Sequence, residues 1–328
     1  MLRRNPLPTG NNSRNFLTRN RTDMVKGIAA VASVVDHFAA RSFDAAGSDV
    51  LHVYLKGLAS MGGIGVILFF FISGFGSFQA MERAKNKTIW LVNHVVSIII
   101  IYLLCYISHI ITYEIVTAGT YPIVINDILL DWIHLRAALT TAWYVRIQLL
   151  VYVFLYLTSP VSRKNVGILL LCLGQSILFW RMGFTANWWK STLCFSLGAA
   201  VAVYRREIYS LFVDRRKSFF IASVLVLPFS YVLSLKIDVY AVKVIANVFL
   251  CISLVSLIEL IMPKKNFTVH WANTPCTSIW YTSAFRHILV DYLPTDKKVA
   301  LTLLFTIIFT IITKMISDRL IRHMIIRT

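Results

Sequence analysis

The chain has 328 residues, of which 57% are apolar and only 15% are charged, against roughly 45–50% and about 25% in soluble domains. With a mean hydropathy of +0.69, this excludes a disordered chain, a collagen-like fibre and an ordinary soluble enzyme, and leaves a polytopic membrane protein. The 33 Lys and Arg against 15 Asp and Glu give a net charge of +18, which in a soluble chain would suggest nucleic acid but beside long apolar runs becomes a question of membrane sidedness.

Residues 1–22 are basic and polar. They lack the apolar run of a cleavable signal peptide and read as a basic N-terminal segment. A bilayer core takes about 20 mostly apolar residues per helix. Ten stretches qualify: 24–41, 61–80, 89–113, 141–159, 165–181, 187–204, 217–235, 238–262, 276–293 and 298–321. The expected fold is all-α, a polytopic membrane bundle of about ten transmembrane helices. No repeat or long linker divides it, so 1–328 reads as a single domain.

Putting the N-terminus in the cytoplasm and alternating sides leaves 21 basic residues in inner loops and 8 in outer loops, with Lys26, Arg146, Lys243 and Arg286 inside spans. Cytoplasmic loops carry such an excess, so both termini are expected in the cytoplasm. Anionic inner-leaflet lipids reinforce that orientation, and no nucleic-acid partner is needed. The longest outer loop, 114–140, carries Asp127, Asp131, Trp132 and His134. Cys105, Cys172, Cys194, Cys251 and Cys276 lie in or beside apolar stretches without a CxxC pair, so they read as packing residues rather than metal ligands or disulfides.

Ionisable groups inside a membrane are costly and mark functional positions. The first span holds Lys26 and His37. Eleven helical steps separate them by about 16 Å along the axis and bring them back to within about 20° of one face. Lys26 then sits toward the cytoplasm and His37 toward the outside, where a neutral imidazole suits deprotonation of a hydroxyl near pH 7. Asp36 adjoins His37 but projects about 100° away on an ideal helix, which argues against it as an orienting partner. The second span, MGGIGVILFFFISGFGSF, alternates glycines and Ser73 with a wall of Phe69, Phe70 and Phe71, a composition suited to close helix packing. Arg83, Lys85 and Lys87 follow it. His94 and His109 read as bundle residues.

These motifs resemble acyltransferase family 3, the integral-membrane O-acyltransferases. The opening block is Asp23-x-x-Lys26-Gly27-Ile28-Ala29 followed by His37. The second span is similar to the family's Gly-Val-x-x-Phe-Phe-x-x-Ser-Gly-Phe block, here Gly65, Val66, Phe69, Phe70, Ser73, Gly74 and Phe75. Weaker likenesses follow in order: Trp143–Tyr144, the stretch Phe195–Tyr204, and a late helix ending in His287. The resemblance implies transfer of an acyl group, acetyl most often, from cytoplasmic acyl-CoA to a hydroxyl of a cell-surface polysaccharide or lipid-linked sugar, in the inner (plasma) membrane and without a metal. It maps the catalytic base to His37 and the basic residue before it to Lys26, which also assists acyl-CoA binding. Arg83, Lys85 and Lys87 stand where the family often carries R-x-x-R, as phosphate contacts. Ser73, Trp143, Tyr144, Arg146 and His287 are the expected substrate-cavity residues. The rival class is a transporter or flippase for a glycan lipid or acyl donor; no inverted repeat or matched pair of broken helices supports it.

Overall fold

The computed structural model describes residues 16–42, 49–117, 142–261 and 295–324. The expected span 276–293, residues 118–140 of the long loop, Cys276 and His287 lie outside the described residues. Among the described residues the regular elements are helical: α1 (Arg19–Ser42), α2 (Asp49–Leu58), α3 (Gly62–Arg83), α4 (Lys87–Thr117), α5 (Ala142–Leu157), α6 (Lys164–Arg181), α7 (Leu193–Val203), α8 (Arg205–Asp214), α9 (Arg216–Lys236), α10 (Tyr240–Ile261) and α11 (Thr295–Met324). Among the described residues four stretches are long and apolar enough to cross a membrane: Leu55–Arg83, Lys87–Ile107, Arg216–Lys236 and Tyr240–Ile261. This is the expected all-α membrane bundle.

α9 shows the membrane most directly. Its buried side chains are Ser223, Ser230 and Ser234, while Leu225 and Phe229 are 67% and 66% exposed. In water this face inversion would leave a large apolar surface wet. In lipid it is the ordinary arrangement, with small polar residues between helices and apolar ones toward the acyl chains.

α3 is the central helix and packs against α1, α4, α5, α7 and α10. Its sequence explains why. A Cβ at Gly74 would overlap the backbone carbonyl of Phe195 on α7, one at Gly198 of α7 would overlap that of Phe71, and one at Gly65 would overlap Ser33 of α1. The glycines bring three backbones into contact, and Phe70, Phe71 and Phe195 fill the space beside them, each almost fully buried.

Among the described residues the structure departs from the hydropathy reading in more than one place: of the ten expected spans, 61–80, 89–113, 217–235 and 238–262 fall on the four long apolar stretches, and α5, at 16 residues, is shorter than the expected 141–159. The stretch 187–204 is not one span. Residues 186–188 make a 3-10 turn and α7 begins only at Leu193. Its 11 residues cover about 16 Å, roughly half a hydrocarbon core, because the polar run Asn187, Lys190, Ser191 and Thr192 interrupts the apolar sequence. The short helices α2 and α8, 10 residues each, fall below span length and left no signal in the apolar runs.

Loops expected on one side of the membrane meet at one end of the bundle. There Lys164 pairs with Glu82 at 2.6 Å, buried Arg21 of α1 pairs with buried Glu259 near the end of α10, and Arg216 donates to the Leu260 carbonyl at 2.8 Å. Leu17 N–H also donates to Glu259, at 3.4 Å. The opposite end holds a cavity.

Candidate active site

The cavity has a volume of about 280 Å³ and is walled on one side by the start of α3, Gly62 to Ile67, and around it by other parts of the chain. α1 supplies Ser33, Asp36 and His37; the turn before α3 supplies Ala59 and Ser60; α5 supplies Trp143 and Tyr144; the segment before α7 supplies Asn187 and Lys190; and α9 with α10 supplies Tyr231, Ser234, Asn247 and Leu250. The expected base His37 therefore lies on a cavity wall, with the two expected aromatics Trp143 and Tyr144.

The segment carrying Lys190 is pinned to α6. Gln175 donates to the Trp188 carbonyl at 3.0 Å and Ser176 to the Trp189 carbonyl at 2.9 Å, while the Trp189 indole donates to the Phe184 carbonyl at 3.0 Å. Buried side chains thus satisfy the backbone where the α-helix is broken, as a low-dielectric interior requires. Among the described residues no carboxylate lies within ion-pair distance of the Lys190 ammonium; the charges acting on it are Lys243 and Asp36. Lys243 is held away by Asp238 at 2.6 Å, which keeps the exposed Asp238 carboxyl below its ordinary range through that hydrogen bond. On the far wall Ser60 and Tyr231 share a hydrogen bond, Ser234 donates to Asn247 at 3.2 Å, and Asn247 donates to the Lys243 carbonyl at 2.7 Å.

Asp36 is closer to His37 than the ideal helix suggests. Its Oδ2 is 3.9 Å from His37 Nδ1. A 100° offset separates the Cα–Cβ directions, yet both side chains bend toward the same space, and the carboxylate settles where Gly62 has no Cβ.

The other expected site residues divide by place. Lys26 sits about three turns from His37 along α1 and donates to Asp23 at 3.2 Å; it does not line the cavity. Ser73 is taken up between helices, accepting from Gln148 and lying 3.4 Å from the Tyr152 hydroxyl. Arg146 stands over the Trp188 ring at 5.9 Å, next to the Lys190 segment but not on the wall. Lys87 caps α3, donating to the carbonyls of Met81 and, at 3.1 Å, Ala84, the role a cation takes at a helix C-terminus. Lys85 is exposed in the turn between α3 and α4. His94 is a bundle residue, its ring against Trp90 and Tyr152.

Arg83 acquires a partner that spacing does not show. Gln79 Oε1 accepts from Arg83 at 3.3 Å and from Arg205, the first residue of α8, at 3.1 Å. Burial, then the charges of Arg83 and Arg206, pull Arg205 below its ordinary value, although a guanidinium stays protonated at neutral pH. Three arginines therefore share a corner at the basic end. Lys190 and Arg205 are among the site-forming residues that sequence reasoning passed over; each counted only as a loop charge. Among the described residues no group of three or more His, Cys, Asp or Glu is placed to hold a metal ion.

A family model described as an acyltransferase domain matches residues 19–271. No curated protein and no solved structure matches the chain. The matched stretch opens at α1, ends beyond α10, and includes every described cavity residue and the arginine corner. It covers well over half of the chain, which therefore belongs to acyltransferase family 3 and is a membrane acyltransferase.

Proposed function

We propose that this acyltransferase moves an acyl group, acetyl being expected, from cytoplasmic acyl-CoA to a hydroxyl of a cell-surface polysaccharide or lipid-linked sugar at the inner (plasma) membrane. The observation that carries the reading is the position of His37: it lines a cavity, beside Asp36 and Lys190, at the end of the bundle opposite the arginine corner. α7 runs from beside the cavity to Tyr204, next to Arg205, so the two places are separated by about 16 Å of helix. The extended pantetheine chain of CoA spans such a gap, with its phosphates at the arginines and its thioester at the cavity.

His37 takes the proton of the acceptor hydroxyl as the oxygen attacks the thioester carbonyl. Negative charge grows on the carbonyl oxygen, and the Lys190 ammonium on the facing wall supplies the opposite charge in a low-dielectric site. Collapse breaks the carbon–sulfur bond, and the thiolate leaves with the proton from the imidazolium. The thioester is already activated, so the chemistry calls for no metal. Arg83 with Arg205 and Arg206, rather than Lys87, supply the phosphate contacts, because Lys87 is occupied at the end of α3.

The test is transfer of label from labelled acetyl-CoA to a cell-envelope glycan fraction by purified protein in nanodiscs, wild type beside His37→Ala. Transfer that vanishes in the variant supports the reading. Folded protein that neither binds CoA nor transfers label overturns it in favour of a transport role.

A further inference from the structure

We infer that Asp36 is the counter-ion of His37: a positioning residue that holds the imidazole in place and stabilises the imidazolium formed during acyl transfer. The inference rests on the acyltransfer reading of the cavity and adds a residue to it.

Three observations meet at Asp36. The first is distance: its carboxylate oxygen is 3.9 Å from His37 Nδ1, and both residues line one cavity. The carboxylate thus faces the Nδ1 side of the ring. The second is a place built for the carboxylate. A Cβ at Gly62 would overlap both the carboxylate oxygens and their carbon, so the second-span glycine at this position makes room for an acid on another helix. The third is the field at that place. Gly62 is the first residue of α3, and the N-cap Met61 offers no side-chain cap. A carboxylate at the start of a 22-residue helix lies at the positive end of its dipole, which favours the ionised form.

The surroundings set the sign of the effect. Among the described residues, the titratable or charged groups facing this pair are Lys190 from the segment before α7, Tyr231 from α9 and Tyr144 from α5; Lys243 of α10 acts on Lys190 in turn. Among the described residues Lys190 is the one cation on the wall and Asp36 the one anion, so they pull the imidazole in opposite directions. Removing the anion makes His37 a weaker base and lets it stay neutral at lower pH. Removing the cation does the reverse.

The experiment is the pH–rate profile of label transfer from acetyl-CoA, measured in nanodiscs for wild type, Asp36→Asn, Asp36→Glu, Gly62→Ala and Lys190→Met. Asp36→Asn is expected to lower kcat about tenfold at neutral pH with KM little changed, and to move the acidic limb to lower pH by about one unit. Asp36→Glu is expected to restore most of the rate. Gly62→Ala, which displaces the carboxylate without removing it, is expected to move the limb in the same direction as Asp36→Asn. The residual rate of Lys190→Met is expected to show its limb at higher pH.

A merely structural Asp36 would change the yield of folded protein and leave the limb where it is; that result, with wild type active and His37→Ala inactive, overturns the inference alone. Should Asp36→Asn not fold, Gly62→Ala carries the same decision. Absence of transfer in the wild type overturns the acyltransfer reading and the inference with it.

Discussion

Gly74 of α3 lies directly against the main-chain carbonyl of Phe195 on α7, and Gly198 of α7 lies in the same way against the carbonyl of Phe71. The contact is reciprocal and backbone to backbone, so neither side has a flexible side chain to move aside. Gly74→Ala is expected to destabilise the bundle by about 1–3 kcal/mol, the usual range for overpacking. Gly76→Ala is the control, since a Cβ there meets nothing within 4 Å. Thermal unfolding in nanodiscs compares the two; equal midpoints would contradict the close crossing.

Loss of the His37 base is expected to reduce label transfer by about 10²–10⁴-fold, the range of general acid–base catalysis, with acyl-CoA affinity little changed. A His37→Ala variant as active as wild type would remove this residue from the chemistry.

Arg205→Ala and Arg83→Ala are each expected to raise the KM for acyl-CoA several-fold while kcat stays near wild type. Both residues donate to Gln79 at the basic end and are proposed to meet the phosphates rather than the thioester. Higher salt is expected to raise the wild-type KM as well, since exposed charge pairs are screened. Lys87→Ala is expected to reduce stability rather than CoA affinity, because that ammonium caps α3. Dephospho-CoA thioesters used as donors show which phosphate the arginines read.

Lys190→Met is expected to lower kcat by about 10²-fold, the cost of removing one oxyanion partner, and Lys190→Arg to recover part of it. Unchanged kcat in Lys190→Met would take the ammonium out of the reaction.

The buried pair of Arg21 and Glu259 ties the start of α1 to the end of α10. Glu259→Gln leaves the guanidinium buried without its counter-charge and is expected to cost about 3–5 kcal/mol. Replacing both with apolar residues of similar size is expected to restore most of the loss. A double variant as unstable as the single one would mean that the ion pair is not the source of the effect.

Much of this architecture follows from sequence alone, because the bilayer imposes a local rule. A helix that crosses lipid must show a long apolar run in the chain itself, so α3, α4, α9 and α10 can be read off hydropathy. The glycines of α3 likewise announce a tight interface, and the Lys26-to-His37 spacing places both residues on one helix face. What the sequence leaves open is which faces meet. Asp36 and Lys190 reach the same cavity wall by wall only because α3 draws α1 and α7 together across its glycines. Ser73 and Arg146 look like cavity residues in the sequence, yet contacts with Gln148 and Trp188 take them elsewhere. Lys87 looks like a phosphate ligand and closes a helix instead. Hydropathy and helical period are properties of neighbouring residues, whereas a cavity is made by residues distant in the chain, and only the packing of helix on helix decides which of them share it.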